Sequence, residues 1–268
     1  MITSLRMYSV APGAAHAWRS LFGRVFADVG VDIEFITHRW PEPIDALWKM
    51  PDLCCDFMCG WPFSRGEPPM QPIAAPVPAP PRYEGLPRYC SEFLVRESSG
   101  WTTLEETFGQ RVGWMAENSQ SGFNAPRAYL SRYVSSDRGA LYSESIGPLG
   151  SPVRTLKALR SAQVDVVALD SFLLDLLRRH DPAKLSGIRC VATTPWTPIP
   201  PLVAAPEISA DVVEKLRAHL VRLHTLAVYD ALLDDALLLR FAEHDADSYA
   251  SLEAMAKDAM HRHYETIR

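Results

Sequence analysis

The segment NSQSGFNAPRAYL, residues 118–130, places Ser119, Gln120, Ser121 and Gly122 between a strand-like run, Arg111 to Ala116, and a segment that reads as helix. One polar side chain suffices to cap a helix. Several small hydrogen-bonding groups in a row have the make-up of a socket. A helix N-terminus offers free N–H groups and a partial positive charge, which suit an anion, and hydroxyls add neutral donors. Asp170 ends the apolar strand Val164 to Leu169 and precedes a helix from Phe172. It reads equally as that helix's cap and as a carboxylate facing a ligand. Ser151 caps another helix, with Pro152 at its first position, where a missing N–H costs nothing. Arg154, in the first turn of that helix, reads as an anion contact or as a solvated charge.

Other chemistries find less support. Ser121 is not in a G-x-S-x-G elbow, and no nucleophile–base pair stands out. Cys54, Cys55 and Cys59 lie on or beside an apparent buried strand, Cys55 to Trp61, with no CxxC spacing and no second Cys/His pair nearby. They read as core thiols rather than metal ligands. Five cysteines at irregular spacing are not a disulfide framework. His261 and His263 do not share a helix face. No metal and no cofactor is expected.

The positioning elements follow from periodicity. Leu5 to Val10 alternates like a strand; His16 to Val29 has helical spacing with Gly30 as its stop; Val31 to Thr37 is a second strand. Ile44 to Met50 reads as a short helix and Cys55 to Trp61 as a third strand, which makes a β-α-β-α-β unit. Residues 72–87 are too rich in proline for helix and read as extended chain. A second unit follows: strand Arg88 to Val95, short helix Thr102 to Phe108, strand 111–116, helix Gly122 to Tyr133, strand Tyr142 to Ile146, the Ser151-capped helix, strand 164–169, helix Phe172 to Arg179 and strand Ile188 to Thr193. Another proline-rich crossing spans TTPWTPIPPLVAAP, and the rest reads as helical, with Ser209 as a cap. Two crossings between two α/β units give a discontinuous first lobe, 1–86 and 195–268, and an inserted second lobe, 87–194. Ligands of open α/β sheets sit beyond the carboxyl ends of strands, here Gly60 to Phe63, Asn118 to Gly122, Gly147 to Ser151 and Asp170.

Composition narrows the partners. The chain has 268 residues, 47% of them hydrophobic and 22% charged, with net charge -5. That balance speaks against a general nucleic-acid binder. No apolar run approaches the roughly 18 residues of a membrane span, so no membrane insertion is expected. The N-terminus has no basic region followed by an apolar one. A cytoplasmic protein, or one whose export signal has been removed, fits that start.

Five stretches in order carry a resemblance: DFMCGWPF, RYCSEFLVRESSGWTTLEETFGQRVGW, NSQSGFNAPRAYL, GSPVRTLKALRSAQVDVVALDSFLLDLL and TTPWTPIPPLVAAPEIS. Together, over about Ser9 to Leu239, they resemble the phosphate/phosphonate-type substrate-binding proteins of ABC transporters. The resemblance implies a two-lobed type 2 periplasmic binding fold of class α/β, with two lobes joined by two extended hinge crossings and a ligand cleft between them. It implies capture of a small anionic ligand and an ABC transporter permease as partner, with no catalysis. By resemblance Ser119, Gln120, Ser121 and Gly122 hold the anion, Asp170 faces the ligand and meets an amine where there is one, and Tyr89, Trp61 and Phe63 line the cleft. Trp61 and Phe63 read equally as core.

The chain departs from the family pattern at three places. Pro152 stands where a His is usual, which leaves Ser151 to supply that contact. Gln120 replaces a hydroxyl residue. No Tyr lies near residues 38–45, where Trp40 or His38 is the nearest substitute. A sulfonate, carboxylate or phosphate ester therefore stays open beside a phosphonate. A cytoplasmic enzyme on the same fold and a ligand-sensing regulatory module are the alternative functions.

Overall fold

A cluster of four aromatic rings joins the two halves of the protein. In the computed structural model Tyr8 meets Phe57 and Phe172 edge-on, each with ring centroids 5.0 Å apart, and Trp18 meets Phe57 at 5.1 Å. All four are fully buried. The structure describes residues 1–38, 42–135, 139–245 and 247–268.

The first half opens with β1 (Ile2–Thr3), α1 (Pro12–Val29), β2 (Glu34–Phe35), α2 (Ile44–Trp48), β3 (Asp56–Phe57), α3 (Gly60–Ser64) and β4 (Gln71–Pro78). The inserted half holds β5 (Arg88–Tyr89), β6 (Ser91–Arg96), β7 (Arg111–Gly113), α4 (Ala125–Leu130), β8 (Glu144–Ile146), α5 (Pro152–Arg160), β9 (Val166–Asp170), α6 (Ser171–His180) and β10 (Ile188–Thr193). The chain returns through β11 (Thr197–Pro198) and β12 (Leu202–Ala204) to α7 (Ala210–Arg222), α8 (Asp230–Asp235), β13 (Leu238–Ala242) and α9 (Ala250–His261). A four-stranded sheet runs β13-β4-β12-β3, a five-stranded one runs β10-β6-β9-β7-β8, and β11 pairs antiparallel with β5 where the chain crosses between them. The fold is thus α/β in two lobes.

Alternation in the five-stranded sheet sets its two faces. Phe93 and Val95 of β6, with Val166 and Ala168 of β9, join one hydrophobic cluster; Leu94, Val167 and Leu169 join the other. The larger cluster continues through α6 into the aromatic rings of the first lobe. The smaller one is closed by the C-terminal tail, whose Tyr264 and Ile267 are buried in it. Leu141 N–H donates to the Arg268 carbonyl at 2.8 Å, and Ser145 Oγ donates to the Ile267 carbonyl.

Several elements are shorter or different from the sequence reading. The expected strand Leu5 to Val10 is a 3-10 turn, Arg6–Tyr8, entered through Leu5 at φ 50°. The buried Asp56 carboxylate explains it, since Oδ2 takes the N–H groups of Ser4 (2.6 Å) and Leu5 (3.0 Å) that a neighbouring strand would have used. The expected strand Cys55 to Trp61 is cut to Asp56–Phe57, because Gly60 already begins α3. Of Val31 to Thr37 only Glu34–Phe35 pairs as strand. The short helix expected over Thr102 to Phe108 is a 3-10 turn, Glu105–Thr107, and the Glu106 carboxylate accepts from the N–H groups of Thr102 and Thr103. Ser209 makes no side-chain cap. The C-terminal region is not all helix, since β13 pairs with β4. Proline is unusual in an inner strand such as β4. Register shifts in both partners, between Leu202 and Val203 and between Leu238 and Arg240, accommodate Pro72, Pro76 and Pro78.

Burial of the tail makes a stability prediction. Ile267→Ala is expected to cost about 2–5 kcal/mol in urea unfolding, the cost of truncating a core aliphatic side chain. A cost under about 0.5 kcal/mol, as for a surface position, would remove the tail from the core.

Candidate functional site

The carboxyl ends of β7 and β9, the crossing strand β5 and the start of α2 enclose a cavity of about 300 Å³. It brings together Ser119, Ser121, Tyr89 and Asp170. Gln120, Gly122, Ser151, Trp61 and Phe63 are placed elsewhere.

The helix after β7 opens irregularly. Residues Gln120–Asn124 form a π-helical turn that runs into α4. Such turns recur at functional sites because they displace backbone groups from the regular ladder. Ser119 caps it, with Oγ accepting from Gly122 N–H at 2.9 Å. That bond uses the Gly122 N–H that an anion would otherwise take. Gly122 itself is required by close packing, since a Cβ there would lie 2.6 Å from the Met115 Cβ. Ser121 lies in the cavity wall. Gln120 is fully buried and points away: its Oε1 accepts from Asn124 Nδ2 at 2.8 Å, and its Nε2 approaches the Met255 sulfur at 3.6 Å.

That side of the loop is clamped by the C-terminal region. Asn124, 0% exposed, also donates to the Leu252 carbonyl of α9 at 3.0 Å. Arg127 donates to Asn124 Oδ1 at 3.2 Å and to the Glu265 carbonyl at 2.8 Å. The first lobe contributes Cys59 Sγ, which accepts from Gln120 N–H at 3.2 Å. Burial pushes the Cys59 thiol up to about 11, so it is not a thiolate at neutral pH.

Asp170 is both a cap and a wall of the cavity. Its Oδ1 accepts from Phe172 N–H (2.8 Å) and Leu173 N–H (2.9 Å), and its Oδ2 accepts from Tyr8 of the other lobe at 3.1 Å. Burial, to 7% exposure, outweighs these donors and pushes the carboxyl up to about 7. Tyr89 is 1% exposed, and its hydroxyl makes no well-formed hydrogen bond among the described residues. Burial holds that hydroxyl well above its ordinary value, with the nearby Ser121 side chain pulling the other way.

Ser151 caps α5, with Oγ accepting from Arg154 N–H at 3.2 Å, and is buried outside the cavity. Its neighbours Gly150 and Pro152 reach the wall, and Arg154 is exposed to solvent. Trp61 stands on α3 under the Arg65 guanidinium at 4.5 Å, and Phe63 packs on His244 and Tyr249. Trp40 lies outside the described residues, and His38 faces a different cavity. Pro43, Ile44, Asp45 and Trp48 form the first-lobe wall instead. The sequence reading missed these, as it missed Met7, Met115 and Leu173, because apolar lining has the same composition as core. Among the described residues no Lys, Arg or His lines the cavity, while two carboxyls, Asp45 and Asp170, do.

Two lobes, a double crossing and a largely apolar pocket with a few hydroxyls and carboxyls between them are the frame of a solute-binding protein. The chain belongs to the family described as the periplasmic substrate-binding protein of the phosphonate ABC transporter, whose model matches residues 60–249. Members of this family bind substrate for a transporter and are not enzymes. No curated protein matches the chain in sequence. Solved structures share the fold. The binding protein component of a Pseudomonas aeruginosa ABC phosphonate transporter has 18% identity and TM-score 0.78, covering 98% of this chain and 86% of its own. PhnD1 from Prochlorococcus marinus, in complex with methylphosphonate, has 16% identity and TM-score 0.76 over 96% of each chain. A Xanthomonas citri protein bound to ATP has 16% identity and TM-score 0.64, covering 98% of this chain and 96% of its own.

Two predictions arise from this geometry. Asn124→Leu strips partners from the Leu252 carbonyl, Gln120 and Arg127, and is expected to cost about 2–3 kcal/mol in chemical unfolding. An unchanged midpoint would show that the clamp contributes nothing. The second concerns pH. The carboxyl of Asp170 titrates near 7 when folded and near 4 when unfolded. The folded state therefore binds the proton more tightly, and its contribution is full below about pH 4 and lost as pH rises through 7. In the ligand-free protein, Asp170→Asn, which keeps a capping oxygen, is expected to flatten the loss of stability between pH 5 and 8. Parallel pH profiles for the two proteins would count against the raised value.

Proposed function

We propose that the cleft captures a small aminoalkyl phosphonate or a zwitterion of similar shape, and that the loaded protein delivers it to an ABC transporter permease. The observation that carries this reading is the Tyr89 hydroxyl, buried in the wall of the interlobe cavity beside Ser121 and with no well-formed hydrogen bond among the described residues. An unsatisfied buried hydroxyl costs stability unless something completes it. With Ser119 and Ser121 it offers neutral donors to an acid group. A dianion meets no Lys, Arg or His among the described lining residues, so a ligand carrying its own positive charge fits better, with that charge turned toward Asp170. Apolar walls from Met7, Ile44, Trp48 and Leu173 enclose the rest. We take lobe I as 1–86 with 195–268 and lobe II as 87–194, closing by hinge motion at β5 and β11. The methylphosphonate complex of the Prochlorococcus relative supports the phosphonate class.

A thermal-shift panel of phosphate, alkyl- and aminoalkyl phosphonates, sulfonates and small carboxylates tests the class. A ligand at about 100 times its Kd adds about 2.7 kcal/mol. The aminoalkyl phosphonates are expected to give the largest shift, and Tyr89→Phe/Ser121→Ala to abolish it. Calorimetry of the best ligand in two buffers of different ionisation enthalpy then reads the proton balance. An amine beside Asp170 favours its ionised form, so binding at pH 6.5 should release protons. Uptake would mean that a plain anion sits against a protonated Asp170, and the amine would be struck from the reading.

A further inference from the structure

The 3-10 turn Arg6–Tyr8 sends three consecutive side chains to three places. Tyr8 enters the interlobe core, Met7 reaches the cleft, and Arg6 turns into a separate open cavity of about 360 Å³. Arg6, Arg19, His38, Ser4, Ser9 and Thr37 line this second cavity.

Arg6 is only 5% exposed and is held in place. One guanidinium nitrogen donates to the Glu42 carbonyl at 2.5 Å and another to His38 Nδ1. His38 therefore carries its remaining proton on Nε2, 3.4 Å from the Glu42 carboxylate. Arg19 enters from the exposed side, its guanidinium 5.2 Å from the Phe35 ring centre. Two carboxylates lie close by, and neither fills the cavity. Glu42 is 60% exposed, and Asp56 is buried and turned onto the N–H groups of Ser4, Leu5 and Phe57. Ala15 and Arg19 stand one turn apart on the face of the 18-residue α1 that borders the cavity. Forked cations with hydroxyls between them are the chemistry that recognises a tetrahedral oxyanion.

We propose that this cavity is a second binding site, distinct from the interlobe cleft, for a tetrahedral oxyanion of the phosphate class. Among the described residues the cleft has neutral donors and carboxyls, while Arg6 and Arg19 line the second cavity.

The test is calorimetric titration of inorganic phosphate into the Tyr89→Phe/Ser121→Ala protein, in which two of the three cleft hydroxyl donors are gone. Saturable binding to one site is expected. Arg19→Gln, at an exposed position that leaves the fold intact, should weaken it about tenfold, the equivalent of one charge-assisted hydrogen bond. Arg6→Lys keeps the charge, loses the fork and should weaken it too. Absence of saturable binding overturns the assignment, and so does binding that neither arginine variant changes. Phosphate binding that disappears with the cleft donors places the anion in the cleft and also overturns it. A cleft that proves to bind no phosphonate leaves this outcome untouched.

Discussion

One buried carboxyl ties the structure together. Asp170 ends the strand β9, starts the helix α6, receives Tyr8 from the opposite lobe and walls the cavity. Three hydrogen bonds favour its charged form and burial opposes it, and burial prevails, since the carboxyl sits up at about 7. A cap alone would be served as well by Ser or Asn, without the desolvation cost. What a carboxyl adds is a charge that appears when the neighbourhood supplies a cation. With its carboxyl at about 7 the group is divided between neutral and ionised forms near neutral pH, and a cation brought beside it would favour the ionised form. Tyr8 makes that change felt across the lobes, because its hydroxyl donates to Asp170 while its ring packs on Phe57 and Phe172.

The rest of the cavity follows the same economy of charge. Hydroxyls of Ser119, Ser121 and Tyr89 face a largely apolar space without a Lys, Arg or His among the described lining residues. Neutral donors bind more weakly than cations but cost less to hold dry. Their direction matters more in consequence, and the structure fixes it from behind. The loop that carries Ser119 and Ser121 is fastened through Gln120, Asn124 and Arg127 to α9 and the tail. Gln120, standing where a hydroxyl is usual, has been turned from the ligand side to the clamp side.

Much of this was legible from residue types and order. The 118–122 loop, the Ser151 cap, the strand ending at Asp170 and the two proline-rich crossings were readable because caps and prolines act locally. What failed was set by distant partners. Leu5 to Val10 alternates like a strand, yet Asp56, some fifty residues on, takes its backbone donors. Trp61 and Phe63 line the cleft by resemblance and read equally as core; a helix begins at Gly60 and sets them against Arg65, His244 and Tyr249. The tail gave no local sign of joining the second core, since Tyr264 and Ile267 stand outside any periodic segment. Ser119 is a cap and also stands in the cavity wall.

The C-terminal helix also bears on how the cleft opens. Helix α9 lies between α3 of the first lobe and α4 of the second. On the α4 side its contacts are directional: Asn124 donates to the Leu252 carbonyl, and Arg127 reaches the Glu265 carbonyl beyond the helix end. On the α3 side they are apolar. Leu252 sits so close to Gly60 that a Cβ there would lie 2.9 Å from its methyl, and Tyr249, just before α9, packs edge-on against Phe63. Apolar faces slide at lower cost than buried hydrogen bonds break. Separation of residues 87–194 from the rest would open several polar links, among them the Cys59 contact to Gln120 N–H, the Tyr8 bond to Asp170, the Arg179–Asp234 pair and the Lys184 bond to the Val10 carbonyl. The first two of these end at residues that line or adjoin the cavity, where a bound solute would meet them.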